Sequence, residues 1–397
     1  MLTFFPIVIL FLLFTIIAAL GHRDRVATRP LTPLPPLSIL VPCYNDADTV
    51  GKTIASIFDA CGPDVDLIVI DDGSTDGSRR KLKRLQRRYT FKWVVNSINL
   101  GKTKTLNQHF HLAGNNIVVF VDADLMVNRK SLMDAVARLQ QPCVGAVSCP
   151  YRSANPGFIP LMQTIEYNML SFVQGAYNVF SAIALWGGFI AIKRTAFMSA
   201  GGFTSNAITE DMDLAFKLNR SGWKVQQSFH PVKTFVPCTF KHWYHQKVRW
   251  SSGGLQCLVK YHRVWIKNPM HVLFLFSFCI LLTMSAVNIG RDFFLWDHVI
   301  DHFLDLRSTE SLASRLRLTL TAFSDAILRN VVGRISITLI SLPFVLPLVS
   351  TLRKIYLCLM IIPFSIFYVP LLSFISFLGA CCFLRKRHRL TTTTRAW

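Results

Sequence analysis

Residues 121–125 read VDADL. Asp122 and Asp124 alternate around Ala123, and in an extended chain residues i and i+2 point to the same side. Two carboxylates side by side repel unless a cation lies between or near them. A hard divalent ion that keeps some waters and also takes diphosphate oxygens suits such a pair. Alone, D-x-D equally describes a solvated turn after a strand. Its place at the end of a fully apolar strand, following a second acidic turn at Asp71 and Asp72, favours the ion.

Three further clusters carry chemistry. Asp211, beside Glu210, opens a helical pattern in which Met212, Ala215 and Phe216 repeat at i, i+3 and i+4. Thr209 is its expected N-cap, and acids favour a first turn; alternatively Asp211 is a general base that takes a proton from an attacking hydroxyl. In HQKVRW, residues 245–250, Gln246, Arg249 and Trp250 share one helix face. That face offers an amide, a guanidinium that forks onto phosphate and a flat ring for a sugar. The same stretch also reads as a basic amphipathic helix on a membrane surface, and the two readings are compatible. In NLGKTKTLN, residues 99–107, Gly101 lets backbone approach a ligand and Lys102 can meet a phosphate; an ordinary turn and helix start is the other reading. The spacing is not that of a Walker loop.

The elements that must position these residues are legible as alternating strands and helices. LSILVPCYN, DLIVIDDGS, KWVVNS, NIVVFVDADL and VGAVSCP each carry a short apolar run without strict alternation, as strands covered on both faces do. DTVGKTIASIFDAC and SRRKLKRLQRRY fill gaps as helices. This is an α/β doubly wound pattern, in which ligands bind at the carboxyl ends of the strands. Asp71, Asp72, Asp122 and Asp124 all fall there. The basic face of residues 79–88 reads as a solvated or lipid-facing helix side.

The flanks differ in kind. Residues 2–20 are apolar and long enough to span a bilayer, with the basic GHRDR after them. A signal-anchor over 1–21 with the following domain in the cytoplasm is expected. Residues 30–36, PLTPLPP, form a stiff linker. A catalytic domain over 37–268 is expected, with interfacial helices near its end, then a region over 269–384 with about three spans and a basic tail over 385–397. Four spans put the C-terminus outside, at odds with RKRHR at 385–389.

The 397-residue chain is 51% hydrophobic and 16% charged, with a net charge of +21. Anionic partners follow: acidic lipid and a nucleotide-linked substrate fit, and nucleic acid is not expected in so apolar a chain. The ten cysteines show no metal spacing and fit a reduced compartment as small buried residues.

Taken in order, VPCYND, DDGSTDGS, NLGKTKTLN, VDADL, WGGFIAIKR, TEDMDL and QKVRW resemble the membrane-bound, processive family 2 glycosyltransferases. Their members include synthases of poly-N-acetylglucosamine, chitin oligosaccharide, hyaluronan and cellulose. The resemblance covers about residues 38–255 and implies a GT-A fold, a Rossmann-like nucleotide-diphospho-sugar transferase domain with flanking transmembrane helices. It implies an inverting β-glycosyl transfer, with N-acetylglucosamine from a UDP-sugar as the best match, onto a growing polysaccharide that is exported. By position it makes Asp71 or Asp72 a uridine contact and assigns Lys102, Asp122, Gln246 and Arg249 to the donor. It gives Asp122 and Asp124 to Mg2+ or Mn2+, Asp211 to the base role, and Gly187, Gly188, Glu210 and Trp250 to the acceptor. It places the enzyme in the plasma membrane (the inner membrane of a bacterium), with accessory or export subunits as further partners. Trp186 stands where many relatives carry a small residue, so it narrows the acceptor pocket or stacks on a sugar. SSGG after QKVRW is a second departure. A transferase that adds one sugar to a lipid and an inactive membrane scaffold remain as alternatives.

Overall fold

The computed structural model describes residues 34–178, 181, 184–267, 320–321, 364 and 368–386. The expected span at 2–20 and most of the expected membrane region over 269–384 lie outside them. Among the described residues no helix is long and apolar enough to cross a membrane. The site residues all belong to one of two compact units, the one comprising Met1–Val272 and Gly379–Trp397.

The chain enters through β1 (Leu37–Cys43), whose seven residues are all buried. It turns through α1 (Val50–Cys61) into β2 (Asp66–Asp71), then α2 (Ser78–Leu85) and β3 (Lys92–Val95). α3 (Lys102–His109) leads to β4 (Ile117–Val121) and the short β5 (Leu125–Met126). The uninterrupted burial of β1 and β4 explains why their sequences lack alternation: helices cover both faces. On α2 only Ser78 and Leu82 are buried, so its basic residues line a solvated side.

α4 (Arg129–Leu139) starts where Asn128 accepts a hydrogen bond from the Ser131 amide at 3.0 Å, satisfying one orphan donor of the first turn. Then come β6 (Val144–Ser148), β7 (Tyr151–Ser153), the long α5 (Phe158–Tyr177) and β8 (Phe189–Lys193). α6 (Arg194–Ser199) and α7 (Glu210–Arg220) precede β9 (Lys224–Gln227) and β10 (Val232–Thr234). α8 (Phe240–Lys260) is capped by the Thr239 hydroxyl and followed by α9 (His262–Trp265). α10 (Val369–Lys386) is the last described α-helix.

Seven strands form one sheet in the order β3-β2-β1-β4-β8-β6-β9. β8 runs antiparallel to both its neighbours, with Val121 opposite Phe189, while the other pairings are parallel. The sheet is therefore mixed rather than purely parallel. β5, β10 and β7 form a second, three-stranded sheet immediately after Asp124.

Two loops close on each other at the carboxyl edge. Gly73 has φ +77°, and a Cβ there would come 2.8 Å from the Asn99 amide nitrogen. Only glycine lets the turn after β2 press this closely on the loop before α3.

Candidate active site

β4 delivers Asp122 to the edge of the sheet, where its amide donates to the Gly188 carbonyl at 2.9 Å. This bond ties the acidic turn to the turn that precedes β8. Lys102, the first residue of α3, reaches across both. Its Nζ lies 2.6 Å from Asp122 Oδ1 and 3.2 Å from Glu210 Oε1, and it donates to the Gly187 carbonyl at 3.2 Å. Burial works against the Lys102 charge, yet the Asp122 and Glu210 carboxylates outweigh it and hold the pKa above the ordinary lysine value.

Asp211 enters from the N-terminus of α7, with Oδ1 accepting from the Met212 amide at 2.8 Å. Its other oxygen faces Gly187: a Cβ there would lie 2.7 Å from Oδ2. Burial, then the neighbouring Glu210 charge, push the Asp211 carboxyl up to about 6. Glu210 goes the other way: burial raises it, but Lys102 and then Arg249 bring it below the ordinary value. Thr209 stands at the N-cap position as expected, but its hydroxyl does not cap. It faces the Cys257 sulfur at 3.7 Å instead.

Asp124 is pushed up to about 7 by burial, then by Asp122 and Asp46. Asp46, from the loop after β1, is itself raised to about 6 by burial, with Asp122 and Asp76 adding to the effect. Asp122, Glu210 and Asp211 thus share two cations, Lys102 and Arg249, while Asp46 adds negative charge beside Asp122 and Asp124. That excess of negative charge is what an added cation would relieve. Among the described residues no group of three or more His, Cys, Asp or Glu side chains is placed to hold a metal ion. Asp122 and Asp124 fit a hard divalent ion that takes its other ligands from a diphosphate and water.

Asp71 and Asp72 have different surroundings from those two. Both are fully buried. Asp71 accepts from Arg79 Nε at 2.6 Å and from the Ser74 amide at 3.2 Å. Asp72 accepts from the Leu100 and Gly101 amides, Asn96 Nδ2 and Thr105 Oγ1 at 2.7–3.0 Å. Its carboxylate thereby fixes the loop that aims Lys102.

On α8, Arg249 is exposed; burial raises Asp122 and Asp211, and the Arg249 charge opposes that rise, while it helps Lys102 to bring Glu210 below the ordinary value. Gln246 Oε1 is buried without a hydrogen-bond partner among the described residues. Trp250 is half-buried. Trp186 corrects an expectation: it is 6% exposed, donates from Nε1 to Gln227 Oε1 at 2.7 Å, and packs edge-on against Tyr151 and Tyr167. No face is left for a sugar. The cysteines also depart from the buried pattern, since Cys143, Cys238 and Cys382 are exposed.

Several functional neighbours were not singled out by their sequence context. The Tyr151 hydroxyl accepts the Gly188 amide. Asp213 is 1% exposed and binds Thr204, Lys260 and Tyr261, locking α7 to the end of α8. Glu166 pairs with Lys247 at 2.8 Å. Asp46 belongs with them, since nothing local in VPCYND shows that its carboxylate faces Asp122.

Residues 38–200 match the model of the family described as Glycosyl transferase family 2. The chain is 28% identical over 247 residues to a poly-beta-1,6-N-acetyl-D-glucosamine synthase of Staphylococcus epidermidis. The match covers 61% of this chain and 60% of the relative. A synthase of the same name from Staphylococcus aureus strain MSSA476 is 26% identical over 249 residues, with 61% and 60% covered. The chain therefore spans less than two thirds of the length of the curated relatives it matches. A mannosyltransferase from Pyrobaculum calidifontis, solved with GDP-Man and Mn2+, shares the fold. Its TM-score is 0.55 at 19% identity, over 94% of this chain and 97% of that one. The fold is that of a GT-A-like α/β glycosyltransferase.

Proposed function

We propose that this protein is an inverting, processive β-glycosyltransferase that moves N-acetylglucosamine from UDP-N-acetylglucosamine onto a growing polysaccharide. The observation that carries the reading is the convergence of Asp122, Lys102, Glu210 and Asp211 on the Gly187–Gly188 turn. The names of the Staphylococcus relatives support the sugar.

Asp211 sits where an acceptor hydroxyl would meet a base. It takes the proton as the oxygen attacks the anomeric carbon from the side opposite the diphosphate. The bond to the diphosphate breaks as the new one forms, so configuration inverts. Lys102 keeps Asp122 and Glu210 in place, and Arg249 approaches the leaving diphosphate from α8. Gln246, one turn before Arg249, would donate its amide N–H to the diphosphate, and Trp250 gives the acceptor sugar a ring to rest on. Mg2+ or Mn2+ held by Asp122 and Asp124 would neutralise charge on the diphosphate when bound. Gly187 and Gly188 leave room for the acceptor end.

This reading puts the protein in the plasma membrane, with the domain over 37–268 on the cytoplasmic side and the apolar stretches at 2–20 and within 269–384 in the bilayer. Growing polysaccharide, membrane lipid and export subunits are its partners. The test is UDP release and product size from purified protein in nanodiscs, with UDP-N-acetylglucosamine, UDP-glucose or UDP-glucuronic acid, each with Mg2+, Mn2+ or chelator. Metal-dependent release with a long product from the first donor is expected. A single sugar on lipid would replace the polymer reading with a glycolipid one, and no release from any donor would contradict both.

A further inference from the structure

Lys247 occupies one of the two unspecified positions in Q-x-x-R-W, on a helix whose other basic residues face outward. It is 2% exposed, and its partner Glu166, on α5, is 7% exposed. Their separation is 2.8 Å. The ammonium also lies 4.1 Å from the centre of the Trp250 ring and 5.2 Å from that of Tyr167. A buried ion pair is not a natural way to gain stability, because desolvation offsets the attraction and an apolar pair of similar volume does as well. Its placement under a ring has another consequence. A cation centred on an aromatic face is attracted by the ring quadrupole, more strongly when desolvated.

The surroundings fix the geometry further. Tyr167 lies 6.1 Å from Trp250, and stands edge-on to Trp186 and Tyr151 at 5.6 and 5.8 Å. Tyr151 holds the Gly188 amide, and a Cβ on Gly188 would lie 3.3 Å from Asp122 Oδ2. One packed set of rings therefore connects the Lys247–Trp250 contact to the turn beside Asp122. Trp250 remains half-exposed.

We infer that Lys247, anchored by Glu166, is a positioning residue that sets the plane of the Trp250 ring and so the seating of the acceptor sugar. The inference rests on the proposed glycosyl transfer for its kinetic consequence, but not for its geometry. It separates the position of the charge from the existence of the pair. In a charge-swapped variant, E166K/K247E, the ion pair is restored but a carboxylate lies under the ring, where the quadrupole repels it.

The experiment uses full-length protein in nanodiscs, UDP-N-acetylglucosamine as donor and a β-linked N-acetylglucosamine tetrasaccharide as acceptor. For both K247M/E166Q and the swapped pair, the acceptor KM is expected to rise about tenfold while the donor KM stays within about twofold. K247R retains the cation and should come back to within about threefold of wild type. Melting temperature checks folding of each variant. Wild-type acceptor KM in the swapped pair overturns the inference, as does a fall in kcat with both KM values unchanged. Tryptophan emission supplies the readout that does not need turnover. K247M/E166Q should shift it, and the shift should vanish when the same changes are made in a W250F background. An unshifted emission overturns the inference by itself. Absence of transfer by the wild type would instead sink the proposed function, leaving the emission result to decide this one.

Discussion

Gly187 lies directly against the Asp211 carboxylate: a methyl group at that position would sit 2.7 Å from Oδ2 and 3.1 Å from Cγ. Nothing in that contact is the far end of a flexible chain, since Asp211 is held by the Met212 amide at the start of α7. Gly187→Ala must therefore displace the Asp211 carboxylate or the turn. Transfer should fall by about 100-fold, the scale on which displacing a reacting group by an ångström acts. The melting temperature should change little. Steady-state rates with circular dichroism check this; wild-type transfer in a folded Gly187→Ala protein would remove the turn from the site.

The pH profile follows from the same carboxylate. Asp211 is raised to about 6, by burial first and Glu210 second. A general base works ionised, so activity is present above that value and lost as pH falls through it. The acid limb of kcat/KM should lie near 6 and drop about one decade per pH unit below it. Glu210→Gln removes a neighbouring negative charge, so the limb should move to lower pH. A limb that moves upward would contradict this electrostatic account.

Asp72 predicts a stability effect. Four donors converge on its buried carboxylate. Asp72→Ala leaves the Leu100 and Gly101 amides without it, at a cost on the order of 3 kcal/mol. The melting temperature should fall and transfer should fall with it, because Lys102 follows Gly101 directly. An unchanged melting curve would show that the loop is held elsewhere.

Adjacent glycines in α8 should behave oppositely. A Cβ at Gly253 would meet Thr209 Cγ2 at 2.4 Å, just ahead of Glu210 and Asp211. At Gly254 the nearest atom is the flexible Met212 sulfur at 4.0 Å. Gly254→Ala should stabilise by about 0.5–1 kcal/mol through helix propensity. Gly253→Ala should destabilise and slow transfer by pushing α8 off the Asp211 segment. Thermal melts and rates of the two single variants test this; equal behaviour would mean that α8 does not press on Thr209.

This pairing gives a physical sense to SSGG, whose departure from relatives the sequence could flag but not interpret. More of the architecture was legible. The strand runs ending at Asp71 and Val121 stand out because continuous apolar β-branched stretches can be buried on both faces, and their carboxyl ends mark the site. β8 was not read as a strand, nor its direction foreseen, because FIAIK is buried on both faces and such a run carries no sign of parallel or antiparallel pairing. The second sheet is built from two- and three-residue strands, too short for a period to register. Among the candidate site residues, Lys102, Asp122, Glu210 and Asp211 stand out by their local context. Tyr151 and the Glu166–Lys247 pair do not, because their meaning lies in partners far along the chain. For Trp186 the sequence leaves stacking on a sugar open beside narrowing of the pocket, and only its buried environment removes the stacking.

The most direct test of the account is Asp211→Asn, measured for both UDP-N-acetylglucosamine binding and transfer in nanodiscs. Asparagine keeps an oxygen for the Met212 amide but cannot take a proton. Transfer should fall about 1,000-fold, while the donor Kd stays within about twofold. Turnover near the wild-type rate would contradict the assignment of Asp211 as the base and the mechanism built on it.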